Sequence, residues 1–315
     1  MKRYGVLMSL LVVGLAQSAW AASPGTVLID PFDPGVSAAV SGMGGASSTM
    51  GGIWALTYNP AGLADVKDRP EATFYEFQVG ASYLKWFEDQ AVGYGTVALP
   101  PGFALGVANF DQGQITSQTG FFTGGTEKVS DFGAIGGYGT SLPGQLSNVD
   151  VGISAQFWQR NLASFKASTF AVNLGARAMF LEKQFAVGAY VQNLGPSLKF
   201  ETSEEDQQPM GYTVGASWTM PKKEGVPVGV RLAADGIKYK DRKVYVGGGA
   251  EVILQDVLAL RAGANTARDK TQPTFGVGVI YKGFTFDYAY NTIDLAGESL
   301  ATHLVSLKFG LGEVK

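Results

Sequence analysis

The chain has 315 residues, with 43 glycines, 19 phenylalanines, 13 tyrosines, one histidine and no cysteine; 16% of the residues are charged and the formal net charge is −3. Without cysteine there is no disulfide framework, no lipidated cysteine and no thiolate chemistry, and a single histidine cannot assemble a transition-metal cluster. The weakly negative balance leaves no basic footprint for nucleic acid and no polybasic patch for a membrane surface.

Lys2 and Arg3 precede an apolar run from Tyr4 to Ala16, followed by the small-residue stretch Ser18-Ala19-Trp20-Ala21-Ala22. This is the pattern of a secretory signal peptide cut after Ala21. The apolar run is about a dozen residues, where a membrane-spanning helix needs roughly 20. Residues 1–21 are therefore expected to be a targeting segment, and the mature chain an exported one.

Residues 22–70 are rich in glycine and carry no strand pattern. They include Gly42-Met43-Gly44-Gly45-Ala46 and Thr57-Tyr58-Asn59-Pro60-Ala61-Gly62-Leu63. The glycine run is not a phosphate loop, since no strand-to-helix unit and no Lys-Ser/Thr pair follows it. Gly42, Gly44 and Gly45 instead permit close backbone approach in a confined space, and Asn59-Pro60 with Ala61 and Gly62 favours a turn. The segment is expected to form a hatch folded into a lumen.

From about Glu71 to the C-terminus, residues 71–315, the chain breaks into segments with a two-residue period. Phe170, Val172, Leu174, Ala176, Ala178 and Phe180 share one face, against Thr169, Asn173, Gly175 and Arg177 on the other. Phe284, Phe286, Tyr288 and Tyr290 likewise oppose Thr285, Asp287, Ala289 and Asn291. About fourteen strands emerge, an even number as single-chain outer-membrane barrels require. Short connections such as Pro100-Pro101-Gly102, Glu182-Lys183, Gln255-Asp256 and Lys282-Gly283 alternate with others that are mostly longer and polar: Gln112 to Glu127, Leu194 to Pro209, Thr266 to Pro273 and Thr292 to Ala301. That parity separates a transmembrane barrel from a soluble sandwich. The fold class is all-β, an antiparallel transmembrane barrel with the hatch in its lumen, placed in a bacterial outer membrane. Lipid offers no partner to an unpaired edge, so the last strand must pair with the first.

The same phase assigns Asp150, Arg160, Arg177, Arg231, Asp235, Glu251, Arg261, Asp287 and Lys308 to the lumen. On the lipid face each Arg or Lys at mid-depth would cost about 2–4 kcal/mol. They are expected to form a mutually neutralising network that rigidifies the barrel and binds its plug. Val305, Leu307 and Phe309 on the final strand suit recognition by the barrel-insertion machinery, although Phe309 is not the last residue.

Met43-Gly44-Gly45-Ala46 followed by Tyr58-Asn59-Pro60-Ala61-Gly62-Leu63 resembles the N-terminal signature of the PorV/PorQ family, a branch of the FadL-like outer-membrane barrels. Val191-Gln192-Asn193-Leu194-Gly195-Pro196, Leu260-Arg261-Ala262-Gly263, Asp287-Tyr288-Ala289-Tyr290 and Thr302-His303 extend the resemblance over nearly the whole mature chain. Ser47-Ser48-Thr49-Met50-Gly51-Gly52 departs from it, standing where the family commonly has an acidic, alanine-rich stretch. The resemblance implies a fourteen-stranded barrel with an internal hatch that turns at Asn59-Pro60-Ala61. It also implies handling of secreted proteins at the outer surface, as in type IX secretion.

Two functional readings stay open at this level, with outer-membrane lipid as a partner of either. One is assistance to exported proteins or secretion-system components. The other is FadL-like passage of a hydrophobic small molecule. A membrane-embedded hydrolase would need a base and an orienting group. The only histidine, His303, sits in the Thr302-His303 pair and suits a structural hydrogen bond. No catalytic residue, metal ligand or cofactor is assigned; Glu204-Glu205-Asp206 reads as a solvated acidic loop rather than a calcium site.

Overall fold

Alternate side chains of a strand point to opposite faces, so a strand that is apolar on one face and small or polar on the other can wall off water from lipid. The computed structural model of this chain describes residues 35–66, 77–86, 90–119, 122–162, 165–199, 205–221, 225–240, 242–267, 270–295 and 298–310. Its strands are β1 (Gln78–Lys85), β2 (Ala91–Leu99), β3 (Phe103–Thr119), β4 (Phe122–Ser141), β5 (Val149–Leu162), β6 (Phe165–Phe180), β7 (Phe185–Leu194), β8 (Leu198–Lys199), β9 (Glu205–Asp206) and β10 (Gly211–Thr219). They continue as β11 (Val228–Tyr239), β12 (Tyr245–Leu254), β13 (Leu258–Asn265), β14 (Gln272–Tyr281), β15 (Phe284–Leu295) and β16 (Glu298–Gly310).

Fourteen of these form one closed antiparallel barrel, while β8 and β9 pair only with each other. Closure is made by β1 and β16, in register from Gln78 opposite Gly310 to Lys85 opposite His303. No described helix is long and apolar enough to cross a membrane; the crossing is made by strands. Phe103, Leu105 and Val107 on β3 and Leu307 and Phe309 on β16 are exposed on the outer face, while Ala104, Ala108 and Phe110, on the alternate positions of β3, are buried inside.

One end of the barrel has tight turns. Gln255 and Asp256 adopt φ 53° and 55°, and Lys282 and Gly283 adopt φ 44° and 79°. Lys282 and Gly283 are the two residues between Tyr281 and Phe284, and both central residues of a two-residue type I′ hairpin need this left-handed backbone. The other end carries the longer connections and is the outer one. There the structure departs from the sequence reading. Gln112 to Thr119 and Phe122 to Glu127 are no loop but the upper parts of the paired strands β3 and β4, with register shifts between Asp111 and Gln114 and between Thr116 and Gln118. Likewise β15 and β16 stay paired through Leu295 and Glu298. Above the bilayer no lipid imposes an apolar face, so pairing continues where the two-residue period has faded. The first described strand starts at Gln78; the expected onset near Glu71 and the signal peptide expected at residues 1–21 lie outside the described residues.

Residues 35–66 fill the lumen. They contain a short helix α1 (Ala38–Gly42) and two 3₁₀ helices, Ile53–Thr57 and Pro60–Asp65. Val36, Ile53, Trp54, Leu56, Leu63 and Val66 form a core with the inward Tyr94, Ala98, Ala104, Ala108 and Ile135 of β2, β3 and β4. The small wall residues leave room for the hatch.

Candidate functional site

The hatch is held by polar contacts at both ends and at its middle. Near its start, Ala38 N donates to Ser306 Oγ at 3.1 Å, and Asn291 Nδ2 donates to Ser41 Oγ at 2.6 Å. Gly44 N donates to Thr274 Oγ1 at 3.0 Å, which in turn donates to Gly42 O at 3.2 Å. Gly44 and Gly45 adopt φ 70° and 85°, so the glycine run makes a left-handed turn. Gly42 lies against Gly276 of β14, where an added Cβ would come within 3.0 Å of the Gly276 Cα.

Asn59 is fully buried and organises the second half. Its Oδ1 accepts from Ala61 N at 3.2 Å, which caps the 3₁₀ helix that Pro60 opens. Its Nδ2 donates to Ser48 O at 2.6 Å and, across to the wall, to Ala176 O at 3.0 Å. The sequence suggests a turn at Asn59 to Gly62. Instead this is a capped 3₁₀ helix, and Gly62 is required for space: a Cβ there would overlap Met50 O. Gly62 O also accepts from Gly52 N at 2.9 Å.

The wall opposite this helix has glycines that the sequence reading did not single out. Gly139 of β4 is in register with Gly152 of β5, and Gly152 with Gly175 of β6. A Cβ at Gly152 would overlap Pro60, and one at Gly175 would overlap Asn59 Oδ1. Glycine at inward positions of three neighbouring strands was the available signal, but only the strand register makes it one row.

The lumen charges make several close ion pairs. Arg177 Nη2 lies 2.6 Å from Asp150 Oδ2, and its Nη1 reaches Asp65 Oδ2 of the hatch at 2.9 Å. Arg261 joins Glu251 at 2.6 Å and Asp287 at 2.7 Å. Arg160 grips the fully buried Asp131 through Nε at 2.8 Å and Nη2 at 2.6 Å. Asp65 and Asp131 are thus partners that the sequence reading omitted.

Asp235 holds the hatch backbone directly. It accepts from the backbone N–H groups of Ser47 and Ser48, at 2.7 and 2.8 Å, and from Ser48 Oγ at 2.6 Å. Arg231 Nη2 donates to Thr49 Oγ1 at 3.1 Å, and Lys308 is half-buried in register with Thr285. The segment Ser47-Ser48-Thr49 is therefore the part gripped by Asp235 and Arg231.

Above the hatch, toward the outer end, lies a cavity of about 220 Å³. Its floor includes Val40 and Tyr58, and Leu84, Trp86, Ile237, Tyr239, Tyr245 and Ile293 contribute apolar and aromatic wall. Gln192, Asn265 and Gln272 add polar groups, and Arg242 stands at it with its guanidinium 4.9 Å from the Tyr239 ring centre. A separate apolar depression between Val97, Leu105, Val107, Phe157 and Phe170 lies on the lipid-facing side of the wall.

His303 lies on the outer face, its Nδ1 2.8 Å from Tyr288 Oη and its ring edge-on to Tyr290. No group of three or more metal-ligating side chains occurs among the described residues.

No protein-family model and no curated protein matches the chain. Solved structures do. The Ralstonia pickettii toluene transporter TbuX superposes with a TM-score of 0.58 at 13% identity, covering 87% of this chain and 98% of its own. A ΔS2S3 mutant of TodX, a monoaromatic hydrocarbon channel, gives 0.59 at 13% identity, covering 88% of this chain and 99% of its own. At this identity the likeness establishes the fold alone: a closed antiparallel barrel like those of the two structures.

Proposed function

We propose that the protein passes small hydrophobic molecules, monoaromatics among them, across the bacterial outer membrane, with the cavity above the hatch as their entry site. The observation that carries this reading is the cavity itself. It is about 220 Å³, and a cavity of roughly 150 Å³ is already large enough to hold benzene. Leu84, Trp86, Ile237, Tyr239 and Ile293 offer apolar contact, while the polar side chains between them can orient a substituent. A hydrophobic solute gains by leaving water for such a wall, and the hatch beneath keeps the lumen from acting as an open pore.

The neighbours named as a toluene transporter and a hydrocarbon channel support this reading over the handling of secreted proteins that the PorV/PorQ resemblance suggests. The protein acts without catalysis, its partners being the solute and the surrounding lipid. The test is uptake of labelled toluene by cells that make the full chain, the Ile237→Trp variant, or neither. Ile237→Trp fills the cavity without touching the hatch anchors, so uptake should fall toward that of cells lacking the protein. Equal uptake in all three would overturn the reading.

A further inference from the structure

We infer that the outer face of the barrel seam binds the phosphate of a phosphorylated glycolipid in the outer leaflet, through Lys85 and His303. The inference needs only the membrane-embedded barrel and is independent of what passes through it. In the closing register Lys85 of β1 lies opposite His303 of β16, and His303 lies opposite Tyr290 of β15. Directly paired residues on one sheet face have Cβ atoms about 4.5–5.5 Å apart, so the three side chains form one outward row across the seam. Lys85 and His303 are both exposed.

Below this row the outward residues are those of a lipid wall: Tyr83 on β1, and Val305, Leu307 and Phe309 on β16. At the row the outward chemistry changes on neighbouring strands too. On β3 Val107 gives way to Asn109 and Asp111, and Asp111 pairs with Lys128 of β4 at 2.7 Å. The row therefore marks the upper edge of the apolar band, where lipid headgroups begin. Lys128 is neutralised by Asp111; among the described residues Lys85 has no such ion pair.

The hydrogen bond between Tyr288 and His303 adds direction. Tyr288 Oη lies 2.8 Å from His303 Nδ1, so Nε2 is at the far side of the imidazole. Tyr290, edge-on at 5.5 Å between ring centres, holds the ring in place. The seam thus offers an ammonium with three donors beside an imidazole held by two tyrosines. Phosphate oxygens are pure acceptors and form short charge-assisted bonds with such donors. A buried lipid chain below and a phosphate above match the apolar wall and the cationic row in one molecule.

The test is native mass spectrometry of the full-length protein in a nonionic detergent, titrated with diphosphorylated lipid A and with the same lipid after removal of its phosphates. The phosphorylated form should bind in a defined ratio and the dephosphorylated form at least about tenfold more weakly. Lys85→Ala should weaken binding by about tenfold, Lys85→Arg should restore it, and His303→Ala should weaken it less. Heat-dependent gel migration of each variant shows that the barrel is intact. Equal binding of the two lipids, or binding unaffected by Lys85→Ala, overturns the inference.

Discussion

Arg177, on the wall, reaches Asp65, the last residue of the second 3₁₀ helix of the hatch, at 2.9 Å while its other nitrogens hold Asp150 of the neighbouring strand. The two partners differ in burial, with Asp150 1% and Asp65 40% exposed at the side chain. Removing the arginine leaves Asp150 buried and uncompensated, at about 3–5 kcal/mol. Removing the half-exposed partner should cost about 1 kcal/mol or less. Arg177→Met should therefore lower the temperature at which the folded band disappears from a gel far more than Asp65→Asn. A reversed order would show that the hatch contact, not the wall contact, dominates.

Asp235 predicts a local effect. Its carboxylate accepts the backbone N–H groups of Ser47 and Ser48, and Asp235→Ala leaves both donors without their partner. Each lost contact costs about 1–3 kcal/mol when the donor stays buried. Amide exchange at Ser47 and Ser48 should accelerate in the variant while the barrel strands stay protected. Unchanged exchange at these two amides would mean that Asp235 does not anchor the hatch.

Gly152 should tolerate no side chain without displacing the hatch, because its Cβ position overlaps Pro60. Gly152→Val keeps β-strand propensity, so the barrel should still form and still show heat-modifiable migration. The hatch should become sensitive to added protease. Retained resistance between residues 35 and 66 would argue that the wall moves instead.

Deleting residues 42–62 should leave insertion largely intact, since strands satisfy their own hydrogen bonds around the closed barrel. Single-channel conductance in planar bilayers should rise above that of the full chain. A full-length barrel that already conducts like an open porin, unchanged by the deletion, would remove the hatch from any account of function.

Strands of this protein are legible because the two-residue period is a local property. Phe170, Leu174 and Phe180 facing lipid, with Asn173 and Arg177 facing inward, follow from alternation alone. So does closure, since lipid cannot satisfy a sheet edge. The period fails above the bilayer, where both faces of the β3–β4 hairpin lack a lipid side, and a paired strand then reads as a polar loop.

Inside the lumen the sequence by itself determined which residue types line the wall, and the tertiary structure alone decided which of them meet. Asp131 and Arg160 are 29 positions apart and Asp65 and Arg177 are 112 apart. Such pairs depend on strand register and on where the hatch enters, neither of which a linear pattern encodes. Gly139, Gly152 and Gly175 become a single row only once three strands are aligned. The cavity above Tyr58 likewise exists only because α1 and the glycine turn stop short of the outer rim, leaving Trp86, Ile237 and Tyr239 with space instead of backbone to pack against. Local chemistry sets the face each side chain takes; the space between faces is a property of the whole closed barrel.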